Sequence, residues 1–164
     1  MFLIGAYTGL RYSDLVNVTE SDIVDDFAEV TAIKTDKMTL IPFNHKVVKE
    51  IRLKHNGLPK AISNQKINKY IKIVCERVPQ LHTTVSRTST VGGVKLTTKS
   101  PKYKRIQTHT ARRSFVSNLI LQGIPPLDIC QITGHSSEQM LLNYCKVKPR
   151  ESISRIARFY DSTN

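Results

Sequence analysis

Tryptophan is absent from this sequence, and its six tyrosines and five phenylalanines form no aromatic ladder. Binding of unpaired bases on a stacking platform needs successive rings, so that mode is disfavoured. Long apolar runs are missing too: no stretch reaches the ~18 residues of a membrane-spanning helix. The opening "MFLIGAYTGL" is apolar. It has neither a basic n-region nor a small-residue cleavage site, so it reads as an internal helix rather than a signal peptide. Cysteine is scarce. Cys75, Cys130 and Cys145 are odd in number, far apart and without a C-x-x-C pair. That argues against a disulfide framework or a zinc site and for a reducing cytosol. There is no Gly-rich nucleotide loop, no obvious carboxylate cluster for Mg²⁺, and no internal repeat. Acids are few as well: 13 against 25 Lys plus Arg, for a formal charge of +12. Such a surface attracts polyanions, of which nucleic acid is the commonest.

A length of 164 residues with 40% hydrophobic content suits one globular domain. The first ten residues read as the end of an apolar helix stopped at Gly9, with Ser13 able to cap a short helix after it. "DFAEVTAIKTDKMTLIPF" is rich in Val, Ile and Thr and alternates in part. It predicts strands near 28–34 and 38–42 around a polar turn at Thr35-Asp36-Lys37. The segment 44–56 spaces Val47, Val48, Ile51 and Leu53 mostly as a helix does, and 63–78 is a second amphipathic helix capped by Ser63. The Thr-rich, basic stretch 83–108, with Gly92-Gly93 in its middle, reads as an irregular β-hairpin or a mobile loop. Helices follow near 110–122, 126–132 and 137–145, separated by Gly123, Pro125-Pro126 and Gly134. A short helix over 150–160 would align Ile153, Ile156, Ala157 and Tyr160. The expected architecture is mainly α with a small antiparallel β-sheet, an α+β fold.

The chemistry gathers near the C-terminus, in "THTARRSFVSNLILQGIPPLDICQITGHSSEQMLLNYCKV". His109 and Arg112, three apart, share one helix face. Arg112 offers a planar, permanently charged fork suited to phosphate oxygens. His109 can donate to such an oxygen or exchange a proton near neutrality. His135 follows Gly134 at a helix junction, where a side chain reaches a cleft. Tyr144 comes nine residues on. A phenol with a pKa near ~10 is a poor nucleophile unless cations and a base assist it. Singly, each has an ordinary reading: a solvated helix face, a helix cap, a half-buried core tyrosine. Their order and spacing shift the balance.

"TGLRYSDL" (8–15), "HTARRSF" (109–115), "ITGHSS" (132–137) and "NYCKV" (143–147) together resemble the motifs of tyrosine recombinases, the integrases of phages and conjugative transposons. The resemblance covers nearly the whole chain. It implies the catalytic-domain fold of that family and the following roles. Arg11 and Arg112 would clamp the non-bridging oxygens of a scissile phosphate. Tyr144 would attack the phosphorus and form a 3′-phosphotyrosyl link. His109 would assist proton transfer, and His135 would hydrogen-bond the phosphate. Asp14 would brace the site. A lysine at the turn of a β-hairpin would protonate the 5′-oxygen leaving group; Lys34, at the end of "EVTAIK", matches best, and Lys37, on the other flank of the turn, comes second. Tyr7, Tyr12, Tyr70 and Tyr103 lie outside the matching motif, and Tyr160 lies beyond it.

The physics suits those roles. Phosphoryl transfer places charge on equatorial oxygens, which preorganised cations stabilise. Two Arg, two His and one Lys supply that charge, so neither metal nor cofactor is expected. A covalent intermediate keeps the phosphodiester energy, and resealing needs no ATP. The resemblance further implies double-stranded DNA as the partner, a homotetramer on DNA, and a place in the bacterial cytoplasm at the nucleoid. Residues 1–164 would form the catalytic domain without the N-terminal clamp of full integrases, and alone would hold DNA weakly. Lys95, Lys99, Lys102, Lys104 and Arg105, in the basic 83–108 segment, are expected to touch phosphates. Two other readings remain open: a catalytically inactive DNA-binding regulator on the same scaffold, and a type IB topoisomerase-like relaxing activity.

Overall fold

The structure, a computed structural model, describes residues 1–145. The helix expected over 150–160 lies outside the described residues. The chain begins with α1 (Phe2–Thr8), closed by Gly9 in the left-handed conformation (φ 72°), and α2 (Tyr12–Leu15) follows. A short 3₁₀ turn, Glu20–Asp22, then leads into β1 (Ile23–Val24), β2 (Phe27–Thr31) and β3 (Met38–Pro42). These three strands make one antiparallel sheet in the order β1-β2-β3. Helices α3 (Lys46–His55) and α4 (Asn64–Glu76) come next. Then β4 (Thr84–Val91) and β5 (Val94–Pro101) pair as a separate two-stranded hairpin. The described chain ends with α5 (Thr108–Leu121), α6 (Pro126–Thr133) and α7 (Glu138–Tyr144).

The expected α+β architecture holds, with two small sheets in place of one. The first sheet follows its alternation. Ala28 and Val30 on β2, paired to Ile41 and Thr39 on β3, point inward, and their neighbours face out. Strand β2 stops at Thr31, short of the expected 34, because the chain turns early. The Ala32 carbonyl accepts from the Thr35 and Asp36 amides, and Ala32 N–H bonds the Lys37 carbonyl. Lys34 therefore sits in the turn itself and not at a strand end. The 83–108 segment is more regular than its sequence suggested: eight residue pairs run in register from Thr84↔Pro101 to Val91↔Val94. Gly92 and Gly93 both take positive φ (57° and 82°), as a two-residue hairpin turn demands.

Two helix details also differ from expectation. Arg11, not Ser13, precedes α2 as its N-cap, and Ser13 lies within the helix. In α3, Val48 is buried and Val47 and Ile51 are half-buried, whereas Leu53 is 83% exposed. Two positions after Ile51, Leu53 has rotated to the opposite face of the helix. Ser63 does cap α4, accepting from the Lys66 amide.

The interior forms two clusters. One joins Ile4, Leu10 and Leu15 to the first sheet and α3 through Ala28, Val30, Ile41, Phe43 and Val48. The other joins α5, α6 and α7 through Phe115, Val116, Ile120, Ile129, Cys130 and Leu141. Helix α5 packs on α1, α4, α6 and α7. The contact with α1 is close at Gly9, where an added Cβ would lie 2.5 Å from the Phe115 ring. Gly9→Ala therefore combines left-handed strain with overpacking, about 3 kcal/mol in sum. We expect its melting temperature to fall by about 10 °C, measured by circular dichroism; an unchanged melting temperature would contradict the close approach. Among the described residues, no helix is long and apolar enough to cross a membrane.

Candidate active site

The residues singled out in the sequence come from distant elements. Arg11 stands at the α1–α2 corner, where the left-handed Gly9 redirects the chain. Its guanidinium lies 3.8 Å from the Asp14 carboxylate, which is almost fully buried. Asp14 Oδ1 also accepts from the Ser13 hydroxyl (3.3 Å) and from the Ile33 amide (3.2 Å). One carboxylate thus links Arg11 to the β2–β3 turn that carries Lys34. Lys34 itself is exposed, and among the described residues no hydrogen bond or ion pair ties it to the cluster. Lys37 is also exposed, and its charge acts on Cys130, whose thiol it lowers against the larger upward push of burial and Glu138.

Arg112, on the inward face of α5, is only 2% exposed. Its Nη1 donates to the Gly9 carbonyl (2.8 Å) and its Nη2 to the Thr133 carbonyl. The fork therefore bolts the α1 corner to the end of α6. Burial, and then the charge of Arg11, bring its pKa down to about 10, against the opposing pull of Tyr144 and Asp14. It stays charged at neutral pH. Its Nε is buried with no hydrogen-bond partner among the described residues. A buried, charged donor without an acceptor is costly, and an anion in the site would relieve that cost.

His135 lies just past Gly134, which closes α6 in the left-handed conformation (φ 65°). Its ring is buried. Nδ1 is 2.7 Å from the Thr133 hydroxyl, and Nε2 has no partner among the described residues. The Tyr144 ring, at the end of α7, stands edge-on to two imidazoles, with centroids 4.7 Å from His135 and 5.2 Å from His109. His109 is more exposed, on the first turn of α5. Its pKa is held below the ordinary value by desolvation, then by Arg112, Arg113 and Arg11. Burial first, then Arg112, Arg11 and His109, push His135 down to about 4.

That depression has a sign. A histidine whose folded pKa lies below 6.5 is neutral in the fold while the unfolded chain takes up a proton. Stability is then fully present above 6.5 and falls as the pH drops toward about 4. His135 contributes roughly 3 kcal/mol to that fall. Urea unfolding between pH 7 and about 4.5 should show it, with His135→Gln flattening the dependence; equal pH slopes in the two proteins would contradict the burial of this ring.

The structure thus brings Arg11, Asp14, His109, Arg112, His135 and Tyr144 together and leaves Lys34 outside, one residue from the Ile33 amide that Asp14 holds. The hairpin presents the predicted basic residues differently. Lys95, Lys99, Lys102 and Lys104 are exposed. By register, Lys95 and Lys99 share one face with Ser86, Thr88, Thr90 and Thr97. Arg105 is engaged: Nε donates to Ser100 Oγ (2.8 Å) and Nη2 to the Thr98 carbonyl (2.8 Å), holding the base of the hairpin. Among the described residues, no group of His, Cys, Asp and Glu is placed to hold a metal ion. Sequence reasoning missed Thr133 and the two carbonyls that hold Arg112. Nothing in "ITGHSS" separates Thr133 from an ordinary helix-end threonine.

The architecture is the tyrosine recombinase catalytic-domain fold. XerA recombinase superposes with a TM-score of 0.65 at 18% identity, over 95% of this chain and 55% of that one. The Tn1549 transposon integrase, solved with a circular intermediate DNA, gives 0.59 at 18% identity, over 96% and 57%. The catalytic domain of bacteriophage HP1 integrase gives 0.54 at 18% identity, over 95% and 79%. This chain therefore spans little more than half the length of the first two. No curated protein sequence matches it. The model of the phage integrase family matches residues 1–151, and the chain belongs to that family.

Proposed function

We propose that residues 1–164 act as the catalytic domain of a site-specific recombinase, which cuts and rejoins double-stranded DNA through Tyr144. The observation that carries this reading is the Tyr144 ring set between two imidazoles beside the buried Arg112. Of the five N–H bonds of Arg112, two go to the Gly9 and Thr133 carbonyls, and Nε, without a partner among the described residues, can serve a phosphate oxygen. Arg11, partly exposed, supplies the second clamp. The Tyr144 oxygen attacks phosphorus, its proton passes to His109, and the bond from phosphorus to the 5′-oxygen breaks. Lys34 gives that oxygen a proton once its turn reaches the bound DNA. Attack by the freed 5′-hydroxyl of another strand reverses these steps and reseals the backbone. Positive groups fixed before the reaction stabilise the charge on the equatorial oxygens.

The exposed lysines of the hairpin, Lys95 and Lys99 with Lys102 and Lys104 below them, contact phosphates on the flanking duplex. Arg105 shapes the hairpin instead. The partner is DNA in the bacterial cytoplasm, engaged by a tetramer during integration or excision of a mobile element. The test is a covalent trap. Nicked duplexes of randomised sequence are incubated with the protein in EDTA, denatured, and scored for protein carrying DNA. A detergent-stable adduct is expected; no adduct on any duplex would contradict the reading.

A further inference from the structure

Thr133 binds two members of the cluster at once. Its carbonyl accepts from Arg112 Nη2, and its hydroxyl oxygen lies 2.7 Å from His135 Nδ1. That same oxygen is 2.6 Å from the Ile129 carbonyl, one helical turn back. A carbonyl oxygen has no hydrogen to give, so at this distance the single hydroxyl proton of Thr133 points to Ile129. Toward His135 the threonine then offers only lone pairs, and the hydrogen of that contact belongs to Nδ1. Thr133 and His135 are 2% and 5% exposed, so water does not compete for these bonds. A free imidazole in water keeps its proton mostly on Nε2. Here the opposite tautomer is imposed, and the bare nitrogen, Nε2, is the one left without a partner among the described residues.

We propose that Thr133 is a positioning residue. Its hydroxyl fixes His135 as the Nδ1–H tautomer with Nε2 unprotonated, while its carbonyl holds the Arg112 fork in the same frame. The consequence for the chemistry is direct. A neutral His135 meets the site as a hydrogen-bond acceptor, and it donates to a phosphate oxygen only after gaining a proton. Without the hydroxyl, the ring is free to flip or to move its proton. Catalysis tolerates such a change poorly where a fixed tautomer is part of the mechanism. The inference about the reaction rests on the recombinase reading; the inference about the tautomer does not.

Two readouts test it. The first is long-range ¹H–¹⁵N correlation on histidine-labelled protein, with His135→Gln assigning the signal among the five histidines. Wild type and Thr133→Ser should carry the His135 proton on Nδ1; Thr133→Val, equal in shape, should move it to Nε2. The second is the rate of covalent adduct formation. Thr133→Val should lose about 10²-fold with duplex affinity within about twofold, and Thr133→Ser should regain most of the rate. A wild-type His135 protonated on Nε2 would overturn the proposal without any variant. So would a Thr133→Val protein that keeps the wild-type tautomer, or a Thr133→Ser protein as slow as Thr133→Val. If wild type forms no adduct at all, the recombinase reading fails, and the tautomer measurement still decides the role of Thr133.

Discussion

Arg112→Lys is expected to slow adduct formation by about 10²–10³-fold and to destabilise the fold by about 2–4 kcal/mol. The charge is conserved, so the loss would come from geometry. A guanidinium spans the Gly9 and Thr133 carbonyls and, on the proposed function, would still keep a donor for the substrate. An ammonium is a single point with three donors and a shorter reach. Whichever carbonyl it misses is left buried and unpaired. It also has no counterpart to Nε, which has no partner among the described residues. Stability by urea denaturation and single-turnover cleavage separate the two effects. A lysine variant as stable and as fast as wild type would remove Arg112 from the centre of the site.

Tyr144→Phe should have the opposite profile: adduct formation below detection with stability unchanged. The phenyl ring keeps its packing on the α5–α7 cluster and its edge contacts with His109 and His135. Only the oxygen proposed as the nucleophile is removed. Duplex affinity should stay within about twofold, because phosphate binding rests on the cations. A phenylalanine variant that still forms adduct would assign the nucleophile elsewhere.

Much of this was legible in the sequence. The "TGLR" corner, "HTARR", "GHSS" and the final tyrosine each name a residue whose chemistry is unusual for its place, and the fold carries them to one point. The helical spacing of α3 and α4 was readable as well, although burial follows it only in part: Val48, Ile67 and Cys75 are buried, whereas Leu53, Ile73 and Val74 are exposed. What was not legible is what depends on contacts across the chain. The Asp14 carboxylate holds the Ile33 amide, nineteen positions away. The Arg112 fork reaches across 103 positions to Gly9. Thr133 looks like any helix-end threonine until His135 folds back onto it. The 83–108 segment reads as a hairpin or a loop, and its regularity stays hidden, because a strand with solvent on both faces has no hydrophobic alternation to follow; that regularity comes from backbone pairing and the Gly92-Gly93 turn. Lys34 illustrates a further limit. Its turn is fixed at Ile33, but the side chain is exposed, and a group with no partner among the described residues leaves no packing signal for its role.

The central claim is that this cluster makes Tyr144 a nucleophile toward DNA. Mass spectrometry of the trapped adduct tests it most directly. After nuclease and protease digestion, the nucleotide remnant should sit on the Tyr144-bearing peptide, joined through a 3′-phosphate to the tyrosine oxygen. A remnant on Tyr7, Tyr12, Tyr70, Tyr103 or Tyr160 would contradict the account, as would one linked through a 5′-phosphate.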